Sequence, residues 1–218
     1  MAVKTEVVKF EQIAQQGGLA SVPYPYMHLV WQAFDVADID HYEGSAHNGF
    51  TAVTDGHGAA YNDHGGGCSI GSIDTYFTLR NGHFASAYLK GMTVTFTAFK
   101  HQKEVGEMSV VLNQKDTLVR FSDIFRNVDQ VRIATSGGTP TDSPYVAEVV
   151  VMDDLKIILT HPIHHSSSAH LLDTDSPLAA HHDLAALGGS DTHHYAGMAP
   201  FAEHHALSAH FGDHDFLV

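Results

Sequence analysis

The sequence predicts an all-β protein, an antiparallel β-sandwich over residues 1–160, followed by a histidine-rich, weakly structured tail over residues 161–218. Three observations lead there. Short runs of β-type residues follow one another at close spacing, separated by turns rich in Gly, Asn and Asp, which suits antiparallel strands rather than βαβ units. The most apolar stretch, residues 145–159 (YVAEVVVMDDLKIIL), comes late in the chain and reads as the closing, central strand. Beyond Lys156 no Lys or Arg occurs, so the composition changes where that strand ends.

Period-2 geometry places Val149, Val151, Asp153, Leu155 and Ile157 on one face of the closing strand, with Val150, Met152, Asp154 and Ile158 on the other. Apolar residues on both faces mean that the strand is covered on both sides. A carboxylate in such a place must be paired, capped or bound to a cation, because a bare buried charge is too costly.

The other elements follow in order. Residues 3–13 alternate (Val3, Val7, Phe10, Ile13) and form a first strand, and 15–26 is a loop with Gly17-Gly18 and two prolines. Residues 27–36 (MHLVWQAFDV) carry the only Trp and read as an aromatic-rich strand or short turn, and 38–48 is polar loop. Strands are expected at 50–53, 59–62, 69–72, 75–79, 84–89, 92–99, 105–112, 117–121 and 128–135. The cleanest alternation is MTVTFTAF, where Val94, Phe96 and Ala98 oppose Thr93, Thr95 and Thr97. SGGTPTDSP (136–144) is a surface loop feeding the closing strand, and helix signals are nearly absent before residue 160.

Composition narrows the function classes. A chain of 218 residues has ample material for one core plus an appendage. The formal charge of −14 argues against nucleic acid or an anionic membrane surface as partner. The single cysteine, Cys68, forbids an intrachain disulfide. The N-terminal MAVKTEVVKFEQIAQQ lacks the apolar core of a signal peptide, and no run approaches the ~18 apolar residues of a membrane helix. The expectation is a soluble protein that does not span a membrane.

The phrases FTAVTDGHGAAYN, SIGSIDTYFTL, HFASAYLKGMTVTFTAFKHQKEVGEMSVVL and FSDIFRNVDQVRIATSGG, with the ending VVMDDLKI, carry a family likeness. Their order over residues 5–160 resembles the sandwich domain of exosortase-sorted (PEP-CTERM) bacterial surface proteins, which itself resembles jelly-roll carbohydrate-binding modules. The chain departs from that pattern after residue 160, where no Pro-Glu-Pro motif or terminal membrane helix follows. The resemblance implies a jelly-roll-like, non-enzymatic binding or structural domain at the cell surface or in the extracellular matrix, with a glycan or a protein, including a second copy of itself, as partner. It also implies a structural Ca²⁺ joining first strand to last, for which Glu11 in FEQI and Asp153 or Asp154 in MDDL are the matching ligands. Without a cation these acids would mark a bulge and point to water.

The tail holds 12 of the 19 histidines, 7 acidic residues and no basic ones. Its last residues, Asp215, Phe216, Leu217 and Val218, resemble the terminal signature of type I (ABC-transporter) secretion substrates, one acid followed by three apolar residues. That likeness implies the type I secretion apparatus as partner and an extracellular destination reached without a cleaved N-terminal signal. Two clusters, one of His161, His164 and His165 and one of His204, His205, His210 and His214, offer several imidazoles to one Zn²⁺, Cu²⁺ or Ni²⁺ ion, or to haem iron. No HExxH or Cys-His spacing sharpens that signal, and the plain alternative is that His is the polar residue left when Lys and Arg are avoided.

Three weaker patterns remain. The loop TDGHGAAYNDHGGGC gathers Asp55, His57, Asp63, His64 and Cys68, which suits tight turns better than a metal site. Gly67-Cys68-Ser69-Ile70-Gly71 matches the G-x-S-x-G of hydrolases, but strand-like SIDTYFTL follows instead of a helix, so a hydrolase is the least favoured reading. Glycan platforms would come from exposed aromatics, for which Trp31, Tyr42 and Tyr61 are the candidates, with Tyr24, Tyr26 and Tyr145 also available.

Overall fold

The computed structural model describes residues 3–13, 18–41, 48–53, 55–73, 75–141 and 147–160. Its strands are β1 (Val3–Val8), β2 (Leu19–Ser21), β3 (Val30–Gln32) and β4 (Phe34–Asp38), then a one-turn helix α1 (Phe50–Val53). There follow β5 (Gly58–Asn62), β6 (Cys68–Gly71), β7 (Tyr76–Ser86), β8 (Leu89–Lys90) and β9 (Met92–Lys100). The last are β10 (Lys103–Leu112), β11 (Thr117–Arg120), β12 (Gln130–Ser136), β13 (Thr139–Pro140) and β14 (Val150–Thr160).

The strands form a jelly-roll-like antiparallel sandwich. One sheet has seven strands, in the order β11-β7-β14-β5-β4-β2 with β1 also on β14, and the other has five, β10-β9-β12-β6-β3. A small β13-β8 ladder lies outside them. The period-2 pattern of β9 buries Met92, Val94, Phe96 and Ala98 and leaves the three threonines half-buried on the outer face. The sheets meet through these inward residues: Phe84 of β7 packs edge-on against Phe96 of β9 with ring centroids 5.4 Å apart, and Phe121 and Phe125 extend the cluster. Edge-to-face geometry suits the ring quadrupoles and adds about 0.5–1.5 kcal/mol per pair to area burial.

The closing strand is central, as expected, and its burial is uneven. Val150 to Asp153 are buried without alternation, whereas beyond Asp154 only Leu155, Ile157 and Leu159 are buried. On one side β14 pairs with β7 along most of its length. On the other side two strands share it: β5 takes Val151 and Met152, and β1 takes Leu155 to Thr160. Asp153 and Asp154 fall in the gap between these partners, at a bulge where Asp154 adopts φ 51°.

Three expectations are corrected. Residues 50–53 form a helical turn rather than a strand. Phe50 and Val53 are three apart, so one helical face buries both, and Phe50 packs on Tyr61 and Tyr88. The Asn48 carboxamide oxygen accepts the Phe50 N–H (3.0 Å), and this side-chain bond starts the turn. Residues 75–79 and 84–89 are not two strands, because β7 runs unbroken through Asn81-Gly82. Gly82 is there for space: a Cβ would lie 2.9 Å from Leu155 and from the Phe84 ring. Finally, residues 27–36 divide between sheets, β3 in the five-stranded and β4 in the seven-stranded one, with Ala33 at φ 57° making the corner.

Asn62 ties β5 to β14 and to the loop that follows β5. It is fully buried; its amide oxygen accepts the Val150 N–H (2.7 Å), and its amide nitrogen donates to the Gly66 carbonyl (2.7 Å). Asn62→Ala would orphan the buried Val150 N–H, so a loss of about 1–3 kcal/mol is expected in urea unfolding. A variant within ~0.5 kcal/mol of the parent would show that these bonds contribute little.

Candidate functional site

The gap on β14 is the polar centre of an otherwise apolar sheet. β1 runs antiparallel to β14 as far as Val8 opposite Leu155, and then the chain turns away through Lys9, Phe10 and Glu11. β5 begins at Gly58, so the preceding loop, with Asp55, Gly56 and His57, comes to the same place from the other direction. Carboxylate oxygens of Glu11, Asp55 and Asp153 lie within 4.8 Å of one another, Asp153 buried, Glu11 half-buried and Asp55 exposed.

Glycines permit this approach. At Gly58 a Cβ would sit 2.6 Å from the Phe10 carbonyl carbon and 2.8 Å from the Glu11 nitrogen. At Gly56 it would sit 2.6 Å from Glu11 Oε1. The Gly58 collision is with backbone and admits no ordinary side chain, whereas at Gly56 a Cβ would have to push the Glu11 carboxylate aside.

Charge in the site is only partly balanced. Lys9 Nζ donates to both Asp55 oxygens (2.9 and 2.8 Å) and reaches Asp154 Oδ1 at 3.1 Å. These hydrogen bonds hold the ammonium well above its ordinary range. Asp153 Oδ1 accepts the Asp154 N–H at 2.8 Å. Asp153 Oδ2 and Glu11 Oε1 have no hydrogen-bond partner, although both are shut off from solvent. Burial therefore pushes the Asp153 carboxyl up to about 7, and the neighbouring charges of Glu11, Asp154 and Asp55 add to it against the Asp154 N–H bond. Tyr26, whose hydroxyl donates to the Lys9 carbonyl, closes one side; burial and then the charges of Glu11 and Asp153 raise its phenol.

Chemically, this arrangement could hold a hard cation. All donors are oxygens, which select Ca²⁺, Mg²⁺ or Mn²⁺ over the soft metals. Two oxygens each about 2.4 Å from one Ca²⁺ are at most about 4.8 Å apart, a limit that the three carboxylates meet. Of the residues expected to bind calcium, Glu11 and Asp153 meet here, while Asp154 turns its carboxylate to Lys9. Asp55 is the ligand candidate that sequence reasoning assigned to turn chemistry. Its signal was the pair of glycines, Gly56 and Gly58, that mark close backbone approach as readily as a turn.

The other candidates fall elsewhere. Trp31 and Tyr61 are buried packing residues: Trp31 packs edge-on against Phe10 and Phe34 and gives its indole N–H to the Tyr26 carbonyl (3.1 Å), and Tyr61 packs edge-on against Phe50. Tyr42 and Tyr145 lie outside the described residues. So do the histidines expected to hold a transition metal or haem, namely His161, His164, His165, His204, His205, His210 and His214. The terminal residues Asp215, Phe216, Leu217 and Val218 lie outside them as well.

Ser69 is buried within β6, with its hydroxyl on Gln32 (2.8 Å), and β6 is flanked by β12 and β3, so no strand–turn–helix elbow exists there. Burial raises the Cys68 thiol far above its ordinary range, which makes it a packing residue rather than a nucleophile. Asp63 to Gly65 form a 3₁₀ turn with Gly65 at φ 74°, apart from the carboxylate cradle. No helix among the described residues is long and apolar enough to cross a membrane.

No family model matches the sequence, and no curated protein does. Among solved structures, the fold is similar to a DUF4465 family protein from Bacteroides ovatus, at 8% identity and a TM-score of 0.41, covering 71% of this chain and 88% of that one. It is also similar to TmCBM61, a carbohydrate-binding module solved in complex with β-1,4-galactotriose, at 10% identity and a TM-score of 0.32, covering 63% and 90%. At such distances neither likeness says anything of this chain's site, whose reading rests on its own geometry.

Two outcomes are expected of this centre. Gly58→Ala forces β5 away from the Phe10–Glu11 turn and should cost about 1–3 kcal/mol in urea unfolding, the range for overpacked cores. The Asp153 carboxyl binds its proton more tightly in the metal-free fold than in the unfolded chain. Metal-free protein should therefore lose stability as pH rises from about 4 through about 7, the interval between the ordinary and raised values. Asp153→Asn should flatten that pH profile and raise the pH 8 melting temperature of the metal-free protein, and a profile unchanged by the substitution would assign the dependence elsewhere.

Proposed function

We propose that the chain is a secreted, non-enzymatic β-sandwich that serves as a binding or structural protein at a surface or in a matrix, with Ca²⁺ closing its seven-stranded sheet. The observation that carries this reading is the cradle of Glu11, Asp55 and Asp153, in which a fully buried carboxylate keeps one oxygen without a partner. A cation there joins the first strand, the loop before β5 and the last strand, which is a structural role. A bound Ca²⁺ would neutralise repulsion that otherwise works against the fold. Sites of this kind fill in extracellular fluid, where calcium is abundant enough for dissociation constants of about 10⁻⁴–10⁻³ M.

Export by a type I system accounts for the tail. The residues Asp215, Phe216, Leu217 and Val218 and the lack of basic residues over 157–218 support that route, with a glycan, a protein or a second copy of the chain as the external partner. A second reading, capture of Zn²⁺, Cu²⁺, Ni²⁺ or haem, is favoured by the 12 histidines of residues 161–218.

Elemental analysis and a visible spectrum of protein recovered from its producer's medium separate the two. About one calcium per chain without transition metal supports the sandwich reading, whereas stoichiometric zinc, copper or nickel, or a Soret band, moves the function to the histidines. In parallel, Ca²⁺ at about 100 times its dissociation constant should raise the melting temperature at pH 8 by about 5–10 °C. The rise should shrink at pH 5.5, where protons compete for Asp153, and vanish in Asp153→Asn. An unchanged melting temperature with Ca²⁺ at millimolar levels would rule the cradle out as a calcium site.

A further inference from the structure

A second polar feature lies away from the carboxylates. Asn48 and Thr51 at the start of α1, Lys90 of β8 and the connection Asn113-Gln114-Lys115 between β10 and β11 line a cavity of about 610 Å³. That size falls within the range of about 300–1000 Å³ typical of small-molecule sites. Its lining is unusual for this chain. Two of the 11 basic residues face it, and among the described residues no carboxylate lines it and neither lysine has an ion-pair partner, although the chain carries a formal charge of −14.

The amides of this cavity are held by one end. Asn113 Oδ1 accepts the Gly91 N–H (2.9 Å), which leaves its NH₂ group to donate. Gln114 Nε2 donates to the Ala87 carbonyl (3.1 Å), which leaves its oxygen to accept. Thr51 Oγ1 donates to the Asn48 carbonyl (3.2 Å) and keeps its lone pairs. Backbone bonds thus fix the side chains before any ligand arrives, so little ordering entropy is lost on binding. A donor amide, an acceptor amide and a hydroxyl oxygen, side by side and pre-oriented, complement vicinal hydroxyl groups. Two ammonium groups at the same cavity add a preference for negative charge, and each charge-assisted bond is roughly twice as strong as a neutral one.

We infer that this cavity, lined by Lys90, Asn113, Gln114 and Lys115, binds an anionic saccharide, a polyhydroxylated ligand bearing carboxylates such as an oligouronate. The inference rests on the reading of the sandwich as a binding module and gives that module a ligand class and a place. The lysines confer a charge attraction that the rest of this acidic surface opposes, so the cavity is where a polyanion can approach.

The test uses the full chain at saturating Ca²⁺, with trigalacturonate and trimannuronate as probes and neutral cellotriose as control, followed by calorimetry. Binding of one of the uronates over cellotriose is expected, weakening as salt rises from about 0.05 to about 0.5 M. The double substitution of Lys90→Gln with Lys115→Gln, both at exposed positions, should lower the affinity about ten-fold or more with an unchanged melting temperature. Uronate binding that survives the double substitution would overturn the cavity assignment while leaving the binding-module reading in place. Equal or stronger binding of cellotriose would overturn the anionic class alone, and absence of binding to all three probes would overturn the inference.

Discussion

The fold depends on how one strand divides its edge. β14 needs backbone partners on both sides, and on one side no single strand supplies them: β5 covers Val151 and Met152, β1 covers Leu155 to Thr160, and the residues between are left to other means. Buried backbone and carboxylate groups cannot remain bare at low cost, so whatever fills this gap decides whether the seven-stranded sheet closes. The chain places four carboxylates, one lysine and a bulge there. Lys9 forms ion pairs with Asp55 and Asp154 in the outer part. The inner part, Asp153 Oδ2 and Glu11 Oε1, is left for a cation or a proton.

Around that point the sandwich is built conventionally. The inward residues of β9 and the cluster of Phe84, Phe96, Phe121 and Phe125 hold two sheets together without assistance from the site. A cation would therefore adjust the stability of a fold that already has a core, and its effect would concentrate on the junction of first and last strands. The amide-lined cavity sits on different elements, α1, β8 and the β10–β11 connection, so a ligand there and a cation in the cradle make separate demands on the sequence. One site gathers negative charge and the other positive charge on a chain that is acidic overall.

Much of this was legible in order along the chain. The alternation of β9, the two-faced apolar run of β14 and the short spacing of the strands all rest on period-2 patterning, which depends on neighbours a few residues away. The acids at 11 and 153 were legible for the same reason, since a carboxylate inside an apolar run demands an explanation wherever it occurs. What misled was local ambiguity. Asn81-Gly82 has the composition of a hairpin turn, yet Gly82 makes room for Leu155 in mid-strand. Phe50 to Val53 fits a strand by residue type, yet its two large apolar residues stand at helical spacing and Asn48 initiates a turn.

By itself, then, the sequence determined the class of fold, the central strand, the acidic break within that strand and the change of composition after Lys156, because each is a matter of local pattern. Tertiary structure alone decided that Asp55 joins Glu11 and Asp153, that Asp154 turns to Lys9, and that Trp31 and Tyr61 are packing residues. It alone brought Lys90 beside Asn113 and Lys115. These outcomes depend on which segments meet across a sheet edge or between layers, and residues 11, 55 and 153 become neighbours only when β1, β5 and β14 share one edge. Burial and proximity are properties of that pairing, and no window of the sequence contains it.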